Sequence, residues 1–455
     1  MSEFRQRKTC DLAIYVAPRP RSLDESTAMT SSTPIQNDAT ETGSPFYHGW
    51  LVVAVATLVA LFGWGLGFYG PAVYLVALKD HFEWNTTQVS AAITVYYLVA
   101  AIIIMSSAGL FERHGTRTVV ATGIVAMACG AAGLGLATQQ WHVPIAFLAL
   151  SAGWAFMSGA AINIIIAPWF DRRRGLAVSL ALTGSGLGGI IVVPALLAIR
   201  ERYGFPASVY ALSTAMLLVA LPAVLAVLRP KRPGEYDRAD REEAAKPGAE
   251  AASAAPTSWS VGVALRDIRF VSVSAAFAIA LTAQVGFLTH QVAFFSPVIG
   301  TAGAAWAIGL MIATAMLWRI STGSFIDSVD ARAFSFVNFL LQALAMVAFL
   351  FADSPITIYL ASCLLGLSIG NMIALPGIVL QREVPREHFT RAIALVVGVN
   401  QFTFAFGPAL LGFLRDFSGS YRVSIAVCCV IQLVAATIIT LPKIVRTNVS
   451  SYKNP

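Results

Sequence analysis

Glu112-Arg113-His114-Gly115-Thr116-Arg117 closes one long apolar stretch of this chain, and Gly323-Ser324-Phe325-Ile326-Asp327, followed by Arg332, closes another. The acids of these two turns, Glu112 and Asp327, stand 215 positions apart. Pro194-Ala195-Leu196-Leu197 returns as Pro408-Ala409-Leu410-Leu411 at a spacing of 214. Unrelated landmarks that share an offset close to half of a 455-residue chain mark two tandem halves of like architecture.

A composition of 57% hydrophobic and 12% charged residues, with a mean hydropathy of +0.70, excludes an ordinary soluble domain. Crossing a hydrocarbon core of about 30 Å takes about 20 apolar residues. Twelve such runs are read, at 50–78, 87–111, 118–138, 143–167, 174–199, 207–228, 270–297, 303–326, 333–351, 355–380, 390–414 and 421–442. The expected fold is an all-α membrane protein of twelve transmembrane helices in two six-helix, pseudo-symmetric halves. The expected boundaries are a disordered tail 1–45, a first half 46–228, a linker 229–265, a second half 266–442 and a tail 443–455. Met29 competes with Met1 as the start.

The net charge of +7 raises the question of a nucleic-acid partner, and its placement answers it. Lys and Arg concentrate in the loops after even-numbered helices, among them Arg172-Arg173-Arg174, the stretch from Arg229 to Arg269, and Arg382, Arg386 and Arg391. Such a bias puts those loops and both termini in the cytoplasm, as for a multi-pass protein of the plasma or bacterial inner membrane. Basic residues scattered over short loops, without interleaved aromatics, do not suit nucleic acid. The five cysteines include no CxxC pair, so neither a disulfide framework nor a metal site is expected. Gly184-Ser185-Gly186-Leu187-Gly188-Gly189 matches the dinucleotide fingerprint by letter but lies inside an apolar helix, where it reads as close helix packing. No cofactor motif and no hydrolase motif remains, and an enzyme is not expected.

An acid at a helix end beside a tight glycine turn and two guanidinium groups, as in Glu112, Arg113, Gly115 and Arg117, suits charge-assisted bonds to a neighbouring helix terminus. A positive loop that only sets topology is the plainer alternative. The spacing resembles the cytoplasmic signature G-x-x-x-[DE]-R-x-G-x-[RK] of the major facilitator superfamily. The second copy keeps Gly323, Asp327 and Arg332 in register, while Ala108 and Asp330 replace a glycine in the first and second copies. His48-Gly49-Trp50, Asn85 to Ser90, and Pro168-Trp169-Phe170-Asp171-Arg172-Arg173-Arg174-Gly175-Leu176-Ala177 look like the monocarboxylate transporter and oxalate:formate antiporter group. The resemblance implies two halves rocking about a central site, with Glu112, Arg113, Arg117, Asp327 and Arg332 stabilising a state closed at the cytoplasmic face.

Arg319 is the one Lys or Arg read as deep in a helix, where a charge costs about 2.5–3.5 kcal/mol on insertion scales. Eight residues before Asp327, it is expected about 12 Å above the cytoplasmic helix end. Arg319 also stands where the monocarboxylate transporters have an arginine implicated in holding the substrate carboxylate. No Asp or Glu is read within a helix core, so the natural counter-ion is an anionic small-molecule substrate, a carboxylate by the match of its geometry to the guanidinium fork. A snorkelling or bracing arginine is the structural alternative. By the same depth arithmetic Tyr96, Tyr97, Asn163, Gln284, Asn371, Asn400 and Gln401 line a polar cavity, with Tyr69 and His290 nearer its entrance. Ala315 stands where proton-coupled relatives carry an acid, and Pro71-Ala72 has no lysine nearby. Any coupled proton therefore rides on His290 or on the substrate. A multidrug or metabolite exporter with an aromatic cavity, and a solute receptor that moves nothing, are the competing readings.

Overall fold

Polar backbone in hydrocarbon must satisfy itself, and nearly every residue described in this computed structural model, 47–170, 173–231, 264–323, 325–384 and 386–451, is accordingly helical or in a short turn between helices. The N-terminal tail with Met29, residues 232–263 of the linker, Asp171, Arg172 and Ser324 lie outside the described residues. In chain order the passes are α1 (His48–Phe82), α2 and α3 (86–114 and 116–135), α4 (His142–Ile166), α5 (Arg174–Tyr203) and α6 (Phe205–Val227). The second series is α7 and α8 (268–299 and 301–323), α9 (Ala331–Leu350), α10 (Pro355–Ile369), α11 (Arg391–Ser418) and α12 (Tyr421–Pro442). Nine described helices are long and apolar enough to cross a membrane. Two of these hold a break in helical backbone, at Gly115 and Gly300, and α10 is a shorter apolar helix, an arrangement consistent with twelve passes. Gly115 and Gly300 have φ of +75° and +70°, backbone that only glycine adopts without strain.

Local chemistry places the helix starts. Asn85 accepts from Gln88 N at 2.8 Å while Gln88 Oε1 accepts from Asn85 N at 3.0 Å, a reciprocal cap that starts α2. Asp330 caps α9 through the amides of Arg332 and Ala333. The aromatic motif before α5 packs on the start of α1: Trp50 meets Phe170 edge-on at 4.9 Å, and Tyr47 bonds the Trp169 carbonyl. His48 Nε2, 3.0 Å from the Val227 carbonyl, ties the same corner to the end of α6.

The glycine run of α5 is a packing stripe with two faces. A Cβ on Gly184 would sit 2.0 Å from the Thr57 carbonyl oxygen, and one on Gly188 2.3 Å from that of Leu61, so this face lies against α1. Across the helix, a Cβ on Gly186 would meet Met316 Sδ at 2.2 Å and one on Gly189 would meet Ile312 Cδ1 at 2.0 Å, both on α8. The α1 contact has a counterpart in the second half, where Gly407 of α11 lies against the Thr282 carbonyl of α7. Gly184→Val is expected to force α1 and α5 apart and to cost about 1–3 kcal/mol. Thermal unfolding of the purified protein measures it, and an unchanged midpoint contradicts the close approach.

Candidate functional site

The loops that join even-numbered helices to the next helix gather at one end of the bundle, called here the basic end. Side-chain hydrogen bonds between the two halves occur, among the described residues, at the opposite end. Asp416 at the close of α11 accepts from Thr87 N at 2.6 Å and Thr87 Oγ at 2.7 Å. A carboxylate thereby sits on the Thr87 amide at the start of α2, where the helix dipole favours negative charge. One turn further in, His290 Nε2 lies 3.0 Å from the Pro408 carbonyl and 3.2 Å from Ser90 Oγ, and Nδ1 lies 3.2 Å from the Tyr421 hydroxyl. A carbonyl only accepts, so Nε2 carries the proton and Nδ1 accepts from Tyr421. Thr94 Oγ then accepts from Ala409 N at 3.1 Å. The contacts of Thr87, Ser90 and Thr94 form a three-rung ladder from α2 to α11 and α7, and the end they join is closed. Asp416→Asn removes the charge from that ladder, and the expected result is a weakening of about 1.5–3 kcal/mol in its closure. Distance measurements between spin labels on α2 and α11 report it, and an unchanged distribution refutes it.

At the basic end, Glu112, Arg113 and Arg117 are exposed. The side chain of Asp327 lies outside the described residues. Arg332, expected at the gate, requires a correction, because every donor of its guanidinium is engaged within the second half. Nε donates to Glu383 Oε1 at 2.5 Å and Nη2 to Oε2 at 2.7 Å. Nη1 donates to Ser272 Oγ at 3.0 Å and the Ile439 carbonyl at 2.7 Å, and Nη2 donates to the Arg269 carbonyl at 2.8 Å. The side chain is buried at 4% exposure and joins α9 to α7, α12 and the Leu375–Glu383 helix that follows α10. Beside this brace, burial pushes the Asp267 carboxyl up, but bonds from Arg269 outweigh it and hold the group below the usual carboxylate range.

The central residues divide into those brought together and those engaged elsewhere. Ile312, Met316 and Arg319 recur at helical spacing on one face of α8, and the first two press on Gly189 and Gly186 of α5, so that face looks at the first half. Arg319 is half-buried and within electrostatic reach of Tyr69 of α1, whose ring in turn packs beside Gly189. Among the described residues no carboxylate pairs with Arg319. Its distance from the helix end differs from the expectation: α8 stops at Gly323, before the turn and the short Ile326–Ser328 helix. Arg319 therefore lies about one turn from the helix end, about 6 Å, instead of 12 Å. The tilt of helical side chains toward the N-terminus directs the guanidinium back toward the middle of the bundle.

Asn371 is buried and accepts at 3.0 Å from the hydroxyl of Thr322, three residues along α8 from Arg319, while its own Nδ2 has no partner. Asn400 is buried with Oδ1 unpaired, and Gln401 is half-buried. Tyr96 and Tyr97 stand ring to ring at 4.7 Å, with hydroxyls bonded to the carbonyls of Gly67 and Phe68, and Tyr97 meets Phe404 of α11 edge-on at 5.7 Å. Three expected residues are engaged by the scaffold. Asn163 Nδ2 bonds the Gly159 carbonyl of its own helix at 2.8 Å. Gln284 accepts from Gln342 at 3.0 Å, which accepts from Gln432 at 2.8 Å, a chain across α7, α9 and α12. His290 belongs to the closed ladder. Gln342, Gln432, Glu383 and Asp416 were not singled out by sequence reading; each was a polar residue in or beside an apolar run, the one available signal.

The Major Facilitator Superfamily profile matches residues 53–352 and 301–453, nearly the whole helical region. The chain belongs to the major facilitator superfamily. Monocarboxylate transporter 11 of Mus musculus is 27% identical over 404 residues, covering 84% of this chain and 84% of that protein. Monocarboxylate transporter 13 of Bos taurus is 25% identical, covering 87% of this chain and 89% of its own length. A riboflavin transporter of Saccharomyces cerevisiae is 24% identical over 37% of the chain and 33% of its own length. The fold is shared with a bacterial homologue of the human lysosomal transporter Spinster, solved inward-facing and unoccupied, at a TM-score of 0.66 and 14% identity over 87% of this chain and 96% of that one. This superfamily protein is a multi-pass membrane transporter and not an enzyme.

Proposed function

We propose that this transporter carries a small organic anion of the monocarboxylate type by alternating access between its two halves. One observation supports the substrate charge above all: a half-buried guanidinium on the inner face of α8 with no protein carboxylate beside it among the described residues. A charge left without a partner in a low-dielectric bundle is costly, and a bound carboxylate neutralises it while using the paired donors of the guanidinium. The Asn371 amide supplies a further donor near Arg319, and the relatives named monocarboxylate transporters support the same class. On this reading the ladder closes one end while the substrate enters from the basic end, and the loop charge supports a cytoplasmic position for that end in a plasma or inner membrane. Glu112, Arg113, Arg117 and Asp327 then belong to the contacts that form when the basic end closes. Coupled protons, where used, enter with the substrate or at His290, which becomes accessible when the ladder opens. Counterflow of radiolabelled short-chain carboxylates in proteoliposomes tests the reading, and competition by lipophilic compounds without effect from carboxylates refutes it. The riboflavin-transporter match and the Tyr96, Tyr97 and Phe404 cluster favour, as a second reading, an aromatic metabolite as cargo.

A further inference from the structure

Between α5 and α8, on the lipid-facing side of the junction between the halves, runs a groove of about 430 Å³. Ile190, Pro194 and Leu197 form one wall, and Trp306 and Leu310 form the other. Trp306, 70% exposed, stands in the open mouth. The lining from Thr301 to Ala313 rises about 18 Å along α8, close to one leaflet of a hydrocarbon core about 30 Å thick. Its polar members are Glu201 and Thr301, and both lie at the same end. Glu201 is in the last turn of α5 and Thr301 in the first turn of α8, so this end meets the headgroup layer opposite the basic end.

Glu201 is an exposed carboxylate at the rim of an otherwise uncharged groove, and the neighbouring cations are occupied. Arg200 pairs with Asp80 at 2.9 Å, and Arg202 lies over the Tyr203 ring at 5.6 Å. Among the described residues Glu201 has no hydrogen-bond or ion-pair partner. A groove one leaflet deep, apolar along its length and acidic at its mouth, is complementary to an amphiphile with a single chain seated and an ammonium on its head.

We propose that this groove holds an acyl chain of a phospholipid bearing a primary ammonium headgroup, with the ammonium on Glu201. A primary ammonium donates charge-assisted hydrogen bonds that a quaternary choline lacks, and an anionic glycerol headgroup is repelled. The two walls belong to different halves, so the lipid spans a junction that must change width as the halves rock, and it stabilises the arrangement seen here. This site is independent of which solute the central residues bind.

Native mass spectrometry of the delipidated full chain, titrated with phosphatidylethanolamine, phosphatidylcholine and phosphatidylglycerol of identical acyl chains, tests the assignment. The ethanolamine lipid is expected to bind about three- to fivefold more tightly than the others, the range of one exposed ion pair. Glu201→Gln levels the three lipids, Glu201→Asp restores the order, and Ala305→Trp fills the groove and removes the retained lipid. Wild-type binding that ignores the headgroup, an ethanolamine preference that survives Glu201→Gln, or retention unaffected by Ala305→Trp overturns the proposal. So does a groove found occupied by a second copy of the chain.

Discussion

Arg319→Ala lowers anion uptake by about 100-fold or more, with the folded protein retained at wild-type yield. The magnitude follows from the loss of two charge-assisted hydrogen bonds of about 1.5–3 kcal/mol each, at about 1.4 kcal/mol per tenfold change. Arg319→Lys keeps the charge and loses the planar fork, so its uptake falls between the two. Folding is spared because the side chain makes no ion pair among the described residues and removing it leaves no protein carboxylate stranded. Initial-rate uptake in proteoliposomes, with size-exclusion profiles as the folding control, gives the answer. Wild-type rates in the alanine variant would end the anion assignment.

The second large effect is structural. Arg332→Ala is expected to destabilise the protein by about 3–5 kcal/mol, the usual cost of removing one partner of a buried ion pair. The variant strands the Glu383 carboxylate and leaves the carbonyls of Arg269 and Ile439 and the hydroxyl of Ser272 without their donor. Replacing both members, as in Arg332→Met with Glu383→Leu, is milder, since no lone charge remains. Thermal unfolding monitored by tryptophan fluorescence ranks the variants. A double variant less stable than the single one contradicts the stranded-charge explanation.

These two arginines show what was legible before the structure. Both stood out in the sequence, one by its depth in an apolar run and one by its place in a repeated turn. Arg332 reads as a gate because a turn motif carries only local spacing. Its partners come from positions 269, 272, 383 and 439, which no short-range pattern connects. The distance of Arg319 from its helix end differs from the count because counting assumes an unbroken helix to Asp327, and the helix ends at Gly323. His290 and Gln284 look alike in sequence, as polar residues on one apolar helix, yet one closes the ladder and the other joins a glutamine chain.

Composition and chain length establish a helical membrane protein, because hydrocarbon admits only segments that satisfy their own backbone and each pass consumes a known number of residues, and the shared offset of the repeated landmarks adds the two halves. The glycine stripe and the paired turns were equally readable, since close helix approach and tight reversal each demand a particular residue. Tertiary packing alone decided which polar side chains face the junction, which brace a single half, and which end of the bundle is shut. Those outcomes depend on the rotation and termination of each helix against its neighbours, and a buried polar group takes whichever partner that geometry places within hydrogen-bonding distance.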